Sequence, residues 1–149
     1  MNIQNCIIYD ENILKSLPNE FWLPVLPSIV PNVNEYYYIS TNGRIWSTKI
    51  GKSGGLMKIN SVKNGYQEIT LTRKNYSSIN LLVHRLVMLT FKWIHGCESL
   101  DINHIDGDKS NNNITNLEWV SHSANIYHAY KIGKVLEKII LCVHIQSIK

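Results

Sequence analysis

The stretch "LDINHIDGDKSNNNITNLEWVSHSAN", residues 100–125, constrains the fold more than any other part of the chain. Two short apolar segments, around Ile102–Ile105 and at Leu117–Val120, bracket a polar interval that opens on Asp106-Gly107-Asp108. Both segments read as short strands, and "DGD" makes a tight turn between them. Ser121 or Ser123 can cap a closing helix, with Gly133 as its stop signal. The expected unit is strand, long polar loop, strand, helix.

Upstream, Tyr36–Ser40 and Arg44–Ser47 are two β-prone runs flanking Asn42-Gly43, a strong hairpin signal. "GKSGG" at 51–55 reads as a flexible loop. "GYQEITLT" alternates Tyr66, Glu68, Thr70 and Thr72 against Gln67, Ile69 and Leu71, which predicts a strand, and "RKNYSS" turns it back into "INLLV". The period then changes. Val83, Leu86, Val87, Thr90 and Phe91 form a helical stripe, with His84, Arg85 and Met88 on other faces. Residues 1–35 read as an irregular or loosely helical lead-in punctuated by Pro18, Pro24, Pro27 and Pro31. In the tail, Ile139, Leu141, Val143 and Ile145 alternate like a strand that has no evident partner. The fold class is α+β.

At 149 residues and 44% apolar content the chain can bury a modest core, as one domain or a small module fused to another. Its charge is uneven. Residues 1–35 hold one lysine against four carboxylates, whereas residues 36–149 hold 14 Lys/Arg against 7 Asp/Glu. A net of +7 after the lead-in fits a polyanionic partner. Cys6, Cys97 and Cys142 are far apart and form no C-x-x-C pair, which excludes a zinc ribbon and disfavours a disulfide framework. The start lacks the pattern of a signal peptide and no apolar run is long enough for a membrane span, so a soluble intracellular protein is expected, of unspecified compartment.

His104 is the side chain in its neighbourhood that can take a proton near neutral pH. Asn103 precedes it, so on a regular strand the two point to opposite faces. Asn116 lies 12 residues on and Asn125 a further 9, in the first turns of the closing helix. Folding the unit back on itself could bring His104 and Asn125 to one face. Asparagine carbonyls are hard ligands suited to magnesium, calcium or manganese, and a histidine base beside such a cation can cut a phosphodiester.

His104, Asn116 and Asn125, with "NHIDGD", "NNN" and "NLEWVSHSANIYHAY", closely resemble the HNH endonuclease family, most of all its phage and viral intron-type homing branch. The resemblance runs from about Val83 through "VHRLVMLTF" to Tyr130. It implies a ββα-metal finger in which His104 is the general base, Asn116 braces the loop, and Asn103 and Asn125 hold the metal, Mg2+ or else Mn2+. "FWLPV" followed by "EYYYISTNGRIWS" is similar to the small DNA-contacting module that commonly precedes this branch. The implied organisation is a lead-in (1–20), a small β-rich module (21–75), the HNH finger (76–132) and a short tail (133–149). The implied function is metal-dependent endonuclease cleavage of double-stranded DNA, as a nick or through both strands, by a chain most simply monomeric. The alternative is a DNA-binding protein that keeps the finger but does not cut.

Two departures accompany the resemblance. Asn stands at 103 where the family often has Asp, so both implied ligands are neutral and metal binding without DNA is expected to be weak. Relatives also often continue into a further DNA-reading segment, whereas 19 residues follow Tyr130. Arg44, Lys49, Arg73 and Arg85 are the expected contacts to the DNA backbone, with solvated or ion-paired surface roles as the alternative. Trp119 is expected to pack in the core. His122 and His128, six residues apart on the helix, do not form a shared metal pair, and "NNN" at 111–113 is expected to be mostly turn.

Overall fold

The structure, a computed structural model, describes residues 17–50 and 54–133. The lead-in up to residue 16, part of the "GKSGG" loop and the alternating tail lie outside the described residues.

Among the described residues three small antiparallel sheets and two α-helices follow one another, an α+β arrangement. The first sheet has the order β1 (Trp22–Pro24), β2 (Tyr37–Ser40), β3 (Ile45–Ser47) and β4 (Gly55–Leu56). The second contains β5 (Asn60–Ser61), β6 (Gln67–Thr72) and β7 (Ser78–Leu82). Helix α1 (Val83–Phe91) leaves β7 without an intervening loop. The ribbon of β8 (Asp101–His104) and β9 (Leu117–Val120) comes next, and helix α2 occupies residues 122–133. Ser121 Oγ accepts from the Ala124 N–H at 3.3 Å, so Ser121 rather than Ser123 caps α2. Gly133, the expected stop, is itself still helical.

Strands β1, β4 and β5 have no counterpart in the sequence-based expectation. Each is two or three residues long, and pairing with a neighbour defines it more than any pattern of its own. Pro24 is accommodated because β1 lies at the edge of its sheet. The β2–β3 hairpin closes through a three-residue loop, Thr41–Gly43, with the Gly43 N–H donating to Ser40 O at 3.0 Å. Gly43 alone takes the left-handed conformation, at φ +75°, so the turn is the bulged three-residue type and not a two-residue Asn-Gly turn. On β6, Ile69 and Leu71 point into the core and Glu68 and Thr70 away from it.

One apolar core runs through both halves of the chain. It gathers Val25 just past β1, Ile39 and Ile45 from the first sheet, Ile69 and Leu71 from the second, Val83, Leu86, Val87 and Met88 from α1, and Ile102 and Leu117 from the ribbon. The helix is thus covered on more sides than its stripe suggested: His84 and Met88, expected on other faces, are both buried. Lys92, just past α1, straps the helix end to the ribbon. Its Nζ donates to Ile114 O and Leu117 O at 2.8 and 2.9 Å, and its carbonyl accepts from Trp119 Nε1 at 2.8 Å.

The hairpin turn also docks on the polar loop. Ile114 N–H donates to Thr41 O at 2.7 Å and Asn113 Nδ2 to Asn42 Oδ1 at 2.6 Å. A Cβ at Gly43 would lie 2.6 Å from Asn112 Cβ and 3.2 Å from Asn112 O. Gly43→Ala therefore combines a left-handed Cβ with a collision against a fixed neighbour. It should lower unfolding free energy by about 2–4 kcal/mol in urea titration. Gly96→Ala, at φ +82° with nothing within 4 Å of its added carbon, should cost only about 1–2 kcal/mol. Equal losses would mean that the turn does not rest on Asn112.

Candidate active site

Strand β8 is regular, and its period of two sorts its side chains. Ile102 and His104 face α1: Ile102 joins the core, and the His104 ring lies 5.2 Å from the His84 ring in an edge-on arrangement. Asp101 and Asn103 take the other face. Asp101 Oδ2 accepts from Asn125 Nδ2 of α2 at 3.2 Å and lies 2.9 Å from His122 Nδ1. Asn103 Nδ2 donates to Glu118 Oε1 at 2.8 Å, directly across the ribbon. Because His104 ends the strand and the chain turns there, with Gly107 N–H donating to His104 O, both faces meet the same opening. Asn103, His104 and Asn125 all line a cleft of about 410 Å3, together with Tyr66, Lys109 and His128.

His104 is buried, and its Nε2 sits 3.3 Å from Asn112 Oδ1. The Asn112 amide nitrogen donates to Gln67 Oε1 at 2.7 Å and to Ser110 O at 3.2 Å, so its oxygen is the acceptor. His104 then carries its proton on Nε2 and keeps the Nδ1 lone pair available. Burial pushes the His104 imidazole below its ordinary value near 6.5, an effect opposed by the Asn112 bond and by Asp106 and Asp108. The ring is neutral at pH 7, the form that can accept a proton.

Asn116 lies behind the cleft and closes the loop. Its Nδ2 donates to Asp106 Oδ1 and Asn111 O at 2.9 and 3.0 Å, and its Oδ1 accepts from the Asp106 N–H at 3.1 Å. The triplet 111–113 does more than turn: Asn111 ties to Asp106, Asn112 touches His104, and Asn113 caps a 3-10 turn through Thr115 N–H.

The four basic residues expected on DNA stand apart from the cleft. Arg44 forms a two-point pair with the buried carboxylate of Glu20, and its guanidinium lies 5.4 Å from the Trp22 ring. Lys49 Nζ lies 4.3 Å from the Tyr36 ring centre, and Arg73 follows β6 at its turn into β7. Arg85 on α1 sits 5.9 Å from the Trp119 ring. The cation that does line the cleft is Lys109, whose Nζ is 4.7 Å from the Tyr66 ring and 3.0 Å from Asn64 O.

Tyr66, His84, Asp101, Lys109, Asn112 and Glu118 escaped the sequence reading. Only cross-strand register and tertiary packing bring them to His104 or to its neighbours. For Asn112 the one available signal was its place in an unusually asparagine-rich loop.

Among the described residues no group of three or more His, Cys, Asp or Glu side chains is arranged to hold a metal ion. The cleft offers carboxamides instead. Both Asn103 and Asn125 have their NH2 groups engaged by carboxylates, which leaves each Oδ1 as the atom able to act as a hard oxygen donor. That donor type fits a hard divalent cation.

His84 is buried with Nδ1 lacking any hydrogen-bond partner, and burial, then His104 and Arg85, push its pKa down to about 4. Its proton is disfavoured in the folded state. The resulting stability is full above the ordinary value near 6.5 and is lost as pH falls from there to about 4. The loss should be on the order of 3 kcal/mol. His84→Phe, which keeps a ring and removes the titration, should flatten urea-measured stability over that window. An unchanged slope would place the titration elsewhere.

Comparison with known proteins supplies the context. Residues 81–127 match the family model described as HNH endonuclease. The chain is 38% identical over 97 residues to YosQ, named as an SPbeta prophage-derived HNH homing endonuclease of Bacillus subtilis (strain 168), covering 65% of this chain and 54% of that protein. It is 37% identical over 102 residues to DNA endonuclease I-HmuI of Bacillus phage SP01, covering 66% and 53%. The chain thus spans about half the length of these curated relatives. A solved structure of DNA binding and cleavage by the HNH homing endonuclease I-HmuI superposes with a TM-score of 0.60 at 29% identity, covering 79% of this chain and 64% of that one. No helix among the described residues is long and apolar enough to cross a membrane. The matched residues are those that fold as the end of β7, α1, the β8–β9 ribbon and the first turns of α2, and over them the chain is similar to the HNH endonuclease family.

Proposed function

We propose that this chain is a metal-dependent endonuclease that hydrolyses phosphodiester bonds in double-stranded DNA, one strand per encounter. The observation that carries the reading is the cleft in which neutral His104, held through Nε2 by Asn112, stands beside the carboxamides of Asn103 and Asn125. Asn103 and Asn125 would hold a divalent cation, Mg2+ or else Mn2+, through their amide oxygens. When bound, that cation supplies Lewis-acid stabilisation of charge on the phosphate and the departing oxygen.

The side chains do the rest. His104 accepts a proton from water at Nδ1, and the hydroxide equivalent attacks phosphorus in line. Asn112 fixes the imidazole tautomer and plane. Asn116 keeps the loop bearing Asn112 closed against the strand end. Lys109, at the cleft, offers a positive charge to a neighbouring phosphate. The module from 21 to 75, with Lys49 and Arg73, and Arg85 on α1 extend the contact along the DNA backbone. Arg44 supports that surface through its pair with Glu20.

The test is nicking of supercoiled plasmid in Mg2+ or Mn2+. His104→Ala should lower the rate by about 10²–10⁴-fold. Equal cutting by both proteins would refute the mechanism. The wild-type rate should rise with pH as His104 loses its proton, with a midpoint below the ordinary imidazole value near 6.5. A rate that falls over the same interval would exclude His104 as the base.

A further inference from the structure

Two neutral amides are a poor electrostatic match for a divalent cation, yet each is attached to a carboxylate. Asn103 Nδ2 donates to Glu118 Oε1 at 2.8 Å, and Asn125 Nδ2 donates to Asp101 Oδ2 at 3.2 Å. The two carboxylates come from different strands of one ribbon, and the two amides from β8 and α2. An amide whose NH2 donates to an anion cannot rotate to exchange its nitrogen and oxygen without losing that bond. Its carbonyl oxygen also gains electron density through the polarised N–C=O group. Asn103 is buried with its bond formed, so this orientation is fixed in the folded protein. Asp101 Oδ2 is held from a second side as well, 2.9 Å from His122 Nδ1.

We propose that Glu118 and Asp101 are positioning residues of the metal site: they orient the carboxamides of Asn103 and Asn125 for coordination through Oδ1 and supply the negative charge that these neutral ligands lack. The inference rests on the reading of Asn103 and Asn125 as ligands. It removes the electrostatic objection to that reading, because charge one bond removed from a ligand still acts on the cation.

The experiment is titration of the full chain with Mn2+, following the free ion by electron paramagnetic resonance, with thermal unfolding in parallel. Glu118→Ala and Asp101→Ala should each weaken Mn2+ binding on the order of 10-fold. Glu118→Gln, which keeps an acceptor and loses the charge, should weaken it less than Glu118→Ala. Proteins that stay folded but bind Mn2+ as the wild type does, while Asn103→Ala and Asn125→Ala bind more weakly, would overturn the positioning role and leave the ligands in place. Wild-type binding that is absent, or unaffected by Asn103→Ala and Asn125→Ala, would overturn the ligand assignment and this inference with it. If either Ala variant unfolds, Asn103→Asp decides for Glu118. It puts two carboxylates face to face, so it should lower the unfolding temperature above pH 6, and Glu118→Gln added to it should restore most of the loss. No such rescue would mean that the two side chains are not partners, which also overturns the proposal.

Discussion

The buried carboxamide of Asn112 is the contact on which the rest of the site depends. Its oxygen meets His104, its nitrogen reaches Gln67 on β6 and the carbonyl of Ser110, and its backbone and Cβ form the floor on which Gly43 rests. One side chain thus joins the hairpin of the first sheet, the central strand of the second sheet, the polar loop and His104. A buried amide left without partners costs on the order of 1–3 kcal/mol, so the three-way satisfaction of Asn112 is a condition of packing as well as of chemistry. The arrangement also explains why the upstream module and the finger share a core. The loop that orients the histidine is pressed into place by residues some 70 positions earlier, as in the Asn113–Asn42 bond.

Around that contact the site is built from polar groups that constrain one another. His84 and His104 are packed edge to face and both are shifted towards the neutral form by burial. The aromatic wall of Tyr66 completes the cluster, with ring centres 5.0 Å from His84 and 5.9 Å from His104. With neutral His104 and the carboxamides of Asn103 and Asn125 lining the cleft, formal negative charge stands one side chain behind those amides. Glu118 and Asp101 occupy that outer position.

Much of the fold was legible because its signals are local. The stripe from Val83, the alternation at Ile69 and Leu71, the segment Leu117–Val120 and the serine cap each follow from periodicity or from hydrogen bonding within a few residues. The short strands β1, β4 and β5 were not legible. Two or three residues carry no period, and such strands exist only because a longer neighbour offers its edge. The same limit applied to α1. A stripe identifies the face that one partner covers, but His84 and Met88 are buried because the helix meets sheet and ribbon together.

The sequence by itself determined the ribbon-and-helix unit, the identity of His104 as the group able to take a proton, and the places of Asn103, Asn116 and Asn125 along the strand, the loop and the helix. Tertiary structure alone decided how those residues are held. It selected Asn112 from three adjacent asparagines, set Glu118 across from Asn103, brought Asp101 to Asn125, and turned Arg44 towards Glu20. The physical reason is one of range. Spacing and residue type fix which backbone a segment prefers, whereas hydrogen bonds between residues up to 71 positions apart form only after that backbone has packed.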